Sequence, residues 1–116
     1  MTPAGRPAPA APPRPGAIDE FLHTPARLSV MSLLAPADWV TFAYLRDSIG
    51  TSDSALSKQL SALEAAGYLE LRKERGRGGS TRVRLTADGR TSFDRYLVTL
   101  EALVARSRGS AERPSS

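Results

Sequence analysis

Apolar residues recur along this chain in two different rhythms. Leu28, Met31 and Leu34 fall at three-residue steps, the spacing that lines one side of a helix. Thr24-Pro25 precedes the run as N-cap and first helical residue, and Pro36 ends it. Ile18, Phe21 and Leu22 form an amphipathic lead-in. Trp39-Val40 is a candidate for a very short strand. Phe42, Leu45 and Ile49 predict a helix over 41–49, with Gly50 where a C-terminal glycine cap belongs. Ser52 caps a third helix whose apolar stripe is Ala55, Leu56, Leu60 and Leu63, and Gly67 closes it.

From Tyr68 the rhythm changes to two. Leu69 and Leu71 alternate with Tyr68 and Glu70, which predicts a strand over 68–75. The segment "GRGGS" is a flexible turn. Thr81 to Leu85 returns as the partner strand, with Val83 and Leu85 on one face and Arg82 and Arg84 on the other. Thr86 caps a long last helix, in which Phe93, Tyr96, Leu97, Leu100, Leu103 and Val104 recur at three- and four-residue steps. The expected fold is mainly α with a small β-hairpin: helix, short strand, helix, turn, helix, strand, glycine loop, strand, helix. That is the order of a winged helix-turn-helix with a long C-terminal helix.

The ends read differently. Residues 1–16, "MTPAGRPAPAAPPRPG", hold six of the nine prolines and predict a disordered or polyproline-like arm. Arg6 and Arg14 are candidates for phosphate contact, beside the plainer reading of a solvated tail. The domain is expected over 17–106, and 107–116, "SRGSAERPSS", as a flexible tail.

Charge sharpens the picture. Between Arg72 and Arg90 stand seven basic residues (Arg72, Lys73, Arg75, Arg77, Arg82, Arg84 and Arg90) against two acidic ones, Glu74 and Asp88. The local balance of +5 exceeds the +4 of all 116 residues. There is no cysteine and one histidine, His23, so disulfides, thiolate metal sites and a His-based zinc site are not expected. No metal or cofactor is predicted. His23 reads as an ordinary helix-start residue, and Trp39, Phe42 and Tyr44 as core and turn packing. Asp47, Asp53 and Glu64 have no paired histidine, and the serines have no base beyond His23, so no enzyme is predicted. "GRGGS" lacks a following Gly-Lys-Ser/Thr and joins two strands, which argues against a nucleotide-binding loop. No window approaches the ~18 apolar residues of a membrane span, and the N-terminus lacks the apolar core of a secretory signal. A cytoplasmic, nucleoid-associated location without a membrane partner is expected.

At "LSKQLSALEAAGYLELRK" the chain resembles the small winged-helix bacterial transcription regulators related to the MarR and ArsR groups. The similarity spans about Leu22 to Leu103. Its most specific part runs from Leu56-Ser57-Lys58 through Leu63-Glu64 to Ala66-Gly67-Tyr68-Leu69. "HTPARLSVMSLL" is similar to the first core helix of that family, and "VRLTADGR" to the junction of wing and last helix. The chain departs at Ala55, where relatives often carry a polar residue such as asparagine. The resemblance implies sequence-specific binding of double-stranded DNA, usually as a homodimer and usually for repression.

Candidate contacts follow. A helix with its side chains fits the major groove, and residues near its N-terminus meet base edges. Ser52, Ser54, Ser57, Lys58 and Ser61 avoid the apolar stripe and face outward. Gln59 flanks this face as a candidate adenine reader, and Asp53 supports the helix dipole. The alternative is an ordinary solvated face. Arg75, Arg77, Arg82 and Arg84 are the candidate phosphate ligands of the hairpin, with Arg77 placed for a minor groove. The alternative is an edge hairpin kept from aggregating by charge. Ile18, Phe21, Leu22, Phe93, Tyr96, Leu97, Leu100, Leu103 and Val104 form the candidate dimer interface, unless the stripe packs only on its own domain. A two-fold dimer would set two recognition helices about one DNA turn apart. Two further readings stay open: a winged-helix protein-interaction module meeting an acidic partner, and a sequence-independent nucleoid-associated protein. A signal would enter through a small-molecule effector, a partner or protein concentration.

Overall fold

A computed structural model describes residues 17–75 and 80–112. The 1–16 arm, the loop residues 76–79 that include Arg77, and residues 113–116 lie outside the described residues. The elements are α1 (Pro25–Leu34), β1 (Val40–Thr41), α2 (Phe42–Ile49), α3 (Asp53–Ala65), β2 (Leu69–Lys73), β3 (Thr81–Leu85) and α4 (Ala87–Glu112).

Each of the first three helices starts on a hydroxyl that satisfies an orphan backbone donor. Thr24 Oγ1 accepts from Arg27 N at 3.4 Å, Thr41 Oγ1 from Tyr44 N at 3.1 Å, and Ser52 Oγ from Ala55 N at 3.1 Å. Pro25 follows the first cap with its φ preset for the helix. Gly50 ends α2 in the left-handed region at φ 75°, which turns the chain sharply into α3. At the head of α4, Thr86 Oγ1 donates to Gly67 O at 2.6 Å and accepts from Gly89 N at 2.9 Å. One hydroxyl thus ties the exit of α3 to the start of α4.

The three strands form one antiparallel sheet in the order β1-β3-β2. Its register pairs Leu71 with Val83 and Val40 with Val83, and it pairs Glu70 with Arg84 and Arg72 with Arg82. The pleat therefore sends Leu69, Val83 and Leu85 inward and Arg72, Arg82 and Arg84 outward. The core gathers Leu22, Val30, Met31, Leu34, Leu45, Leu56, Leu60, Leu63, Leu69, Val83, Leu85, Phe93 and Tyr96. Burying one such side chain is worth roughly 1.5–3 kcal/mol.

The structure corrects the sequence reading in three places. Ala55 is exposed, so the inward stripe of α3 is Leu56, Leu60 and Leu63. Tyr44, expected in packing, is 55% exposed on α2. The predicted tail from 107 is helical as far as Glu112. Extending an existing helix adds a hydrogen bond for each residue fixed, and Gly109 subtracts only about 1 kcal/mol relative to alanine.

Candidate nucleic-acid interface

The outer side of α3 is built from small polar residues. Ser54, Ser57, Lys58 and Ser61 are all exposed, one or two turns apart on the side opposite Leu56, Leu60 and Leu63. Ser52 is exposed too, but its hydroxyl is spent on the cap and lies 3.4 Å from Ser54 Oγ. Gln59 belongs elsewhere. It is half-buried, and its Oε1 accepts from Arg27 Nε at 3.0 Å. The expectation that Gln59 reads a base is corrected: its position on α3 turns it toward α1, where Arg27 takes its carbonyl oxygen.

Arg27 was not singled out from sequence. Besides Gln59 it donates to Phe21 O at 2.9 Å, and its guanidinium lies 4.3 Å from the centre of the Phe21 ring. It straps the N-terminal lead-in to α3. Arg46 does similar work on the other side. Its Nη1 donates to Asp53 Oδ1 at 2.9 Å and its Nε to Asp47 Oδ1 at 3.0 Å. These bonds raise its pKa above the ordinary guanidinium value, Asp47 contributing most. The sequence signal for Arg46 was its place one turn before Gly50, with an acid at the start of the next helix.

The hairpin beside α3 is less uniformly cationic than the residue count suggested. Arg82 Nε lies 3.0 Å from Glu74 Oε1. Arg84 donates to Glu70 Oε1 at 2.9 Å and to Asp38 Oδ1 at 3.4 Å. Its pKa is raised, mainly through Glu70. Trp39 gathers Arg72 and Arg84, whose guanidiniums lie 4.7 Å and 4.4 Å from its ring centre. Arg90, counted with the wing, donates to Ala35 O at 2.8 Å and pins α4 to the end of α1. Among the described residues, Arg72, Lys73 and Arg75 are exposed and form no ion pair. Lys58 on α3 is likewise unpaired among them.

At the far end, the expected dimer stripe splits in two. Leu22, Phe93 and Tyr96 are 0%, 4% and 2% exposed and belong to the domain's own core, which corrects their assignment to an interface. A period of three to four residues covers a wide arc, and this side of the arc meets the rest of the domain. Ile18, Phe21 and Leu100 are partly buried against that core. Leu103 is half-buried, while Leu97 and Val104 remain 37% and 42% exposed. Burial raises the pKa of Tyr96, with the charge of Asp19 adding to it, and its hydroxyl lies 2.7 Å from His23 Nδ1. Among the described residues no group of three acidic, histidine or cysteine side chains is placed to hold a metal. No helix among them is long and apolar enough to cross a membrane.

A capped helix-turn-helix followed by an antiparallel hairpin and a closing helix defines a winged helix domain. The chain belongs to the winged helix DNA-binding domain family, whose profile matches residues 26–104. It is 27% identical over 79 residues to an uncharacterized protein of Methanocaldococcus jannaschii, covering 67% of this chain and 86% of that protein. In structure it is similar to a transcriptional regulator homologue from Pyrococcus horikoshii OT3, with a TM-score of 0.72, 24% identity, and 75% of this chain and 87% of that one covered. It is also similar to a MarR-family transcriptional regulator from Silicibacter pomeroyi, with a TM-score of 0.61, 24% identity, and 84% and 62% covered. At this identity the two structural likenesses are likenesses of fold.

Proposed function

We propose that this protein is a site-specific, double-stranded-DNA-binding transcriptional repressor that works as a homodimer. The observation that carries the reading is the pairing of two surfaces. The exposed face of α3 offers Ser54, Ser57, Lys58 and Ser61, side chains short or flexible enough to reach base edges. The adjoining hairpin offers Arg72, Lys73 and Arg75, cations with no acidic partner among the described residues. Arg82 joins them once phosphate displaces Glu74. The first surface reads sequence and the second sets register and affinity.

The homodimer reading rests on α4. From Glu101 to Arg108 every residue but Leu103 is exposed, and Leu97 and Val104 stand two helical turns apart on one side. Leu100 and Leu103 flank that line, so a second copy of α4 would cover a continuous apolar strip. A dimer doubles the contact surface, and repression follows from occupying a site that other proteins need.

Lys58→Ala and Arg75→Ala separate the two surfaces. The first should reduce discrimination between sites, the second should weaken all duplexes alike and lower the salt slope by about one. Unchanged site preference in Lys58→Ala, measured by competition between a selected duplex and its scrambled form, would place the reading face elsewhere. Equal affinity of the wild type for both duplexes would favour the nucleoid-associated alternative.

A further inference from the structure

The first turn of α3 carries a carboxylate that neither the cap nor the core uses. Asp53 is the first residue of the helix, and its side chain is 70% exposed. Its Oδ1 takes one bond, from Arg46 Nη1 at 2.9 Å. Its Oδ2 takes none among the described residues. Arg46 is itself fixed by Asp47 at 3.0 Å, so the guanidinium that holds Asp53 is anchored from behind. Exposed carboxylates normally sample several rotamers; this one is tethered across the helix-helix turn, with one oxygen left over.

Near a phosphate backbone a bare carboxylate is repelled. Arg46 offsets that charge, which leaves an oriented hydrogen-bond acceptor beside Ser54 and Ser57 on the same helix end. In the major groove only two groups donate to such an acceptor, the N4 amino group of cytosine and the N6 amino group of adenine. Guanine O6 and thymine O4 are acceptors and would face Asp53 unpaired. We propose that Asp53 is a base-reading residue whose free carboxylate oxygen accepts from an exocyclic amino group, cytosine N4 or adenine N6, with Arg46 as its positioning residue. This deepens the DNA-binding reading above and rests on it.

The test starts with selection from a randomised duplex library by the wild type and by Asp53→Ala. The wild type should favour cytosine or adenine at one position of each half-site. The Ala variant should lose that preference, a change of roughly 5- to 150-fold for one base contact, and keep the others. Duplexes with 2-pyrimidinone for cytosine, or purine for adenine, then remove only the amino group. The analogue that weakens wild-type binding about tenfold and leaves Asp53→Ala unmoved identifies the base. Asp53→Asn should shift the preference toward adenine, because an amide both donates to N7 and accepts from N6. Arg46→Met should lower the preference at the same position, because Asp53 is then present but unheld.

Binding that retains every preference in Asp53→Ala overturns the proposal. So does a uniform gain across all duplexes, which would make Asp53 only a repulsive charge. Matching drops in melting temperature for Asp53→Ala and Arg46→Met, with preferences intact, would reduce the pair to a staple. No salt-dependent binding to any duplex removes the DNA-binding reading and this inference together; binding with unchanged preferences removes this inference alone.

Discussion

Arg82 Nε rests 3.0 Å from Glu74 Oε1 on the outward face of the hairpin, so a cation proposed to meet phosphate is already occupied by a carboxylate. Both side chains are nearly half exposed, at 46% and 42%, and water screens the pair. Phosphate must displace Glu74 to take Arg82. Glu74→Gln should therefore strengthen binding to every duplex by about 2- to 5-fold at low salt. Anisotropy titrations at two ionic strengths check this, and a gain that persisted undiminished at high salt would point to another cause.

The basic residues of the wing should not behave alike. Arg75 is exposed and unpaired among the described residues, so Arg75→Ala should lower the salt slope by about 0.9, the value of one phosphate contact on duplex DNA. Arg84 is held by Glu70, Asp38 and the Trp39 ring. Arg84→Ala should lower the melting temperature and change the slope by less than half as much. Equal slopes for the two variants would show that Arg84 leaves its partners to meet phosphate.

Gly89 allows the first turn of α4 to lie against the strand entry. A Cβ built there collides with the backbone carbonyl of Tyr68. Thr86 cannot relax this easily, because it bonds Gly67 O on one side and Gly89 N on the other. Gly89→Ala should cost about 1–3 kcal/mol, the range for overpacking a tight contact. For a domain of this size that is a fall of roughly 4–20 °C in a thermal melt.

Leu97 and Val104 test the proposed association face without disturbing the core, because both are exposed in the single chain. Leu97→Asp with Val104→Asp should yield monomers by sedimentation while leaving the melt of the domain within a few degrees. Leu100→Asp is a poorer probe, since Leu100 also packs against the core. A Leu97→Asp, Val104→Asp protein that sediments like the wild type would contradict the proposed dimer through α4.

Tyr96 gives stability a high-pH limb. Its folded pKa lies above the ordinary value of 10.0, chiefly because burial disfavours the phenolate. The unfolded chain loses this proton first, so the stability held below pH 10 is lost as pH rises through the folded value. Denaturant melts above pH 10 should show the wild type losing stability faster than Tyr96→Phe. Parallel curves for the two proteins would remove Tyr96 from that limb.

Much of the fold was legible because its punctuation is local. Thr24, Ser52 and Thr86 cap where their hydroxyls stand, and Gly50 turns where a left-handed residue is needed. The exposed face of α3 was legible for the same reason, since Leu56, Leu60 and Leu63 fix which side is buried. What the sequence did not show depended on partners distant in sequence. Gln59 is claimed by Arg27, 32 residues away, and Arg84 by Asp38, 46 residues away. Spacing along one helix could not reveal that Phe93 and Tyr96 meet the core while Leu97 does not. Cross-strand register, which sets Glu70 opposite Arg84, decides how much of the wing's charge is free.

In the proposed function, α3 reads sequence while the wing supplies salt-sensitive affinity. Fluorescence anisotropy of the purified protein on the duplex upstream of its own gene and on a scrambled duplex, each across a salt series, separates the two roles. Tight binding to the upstream duplex, weak binding to the scrambled one, and a steep salt slope for both are expected. Indistinguishable affinities at physiological salt, or binding that ignores salt, would rule out a sequence-reading α3 with a salt-sensitive wing.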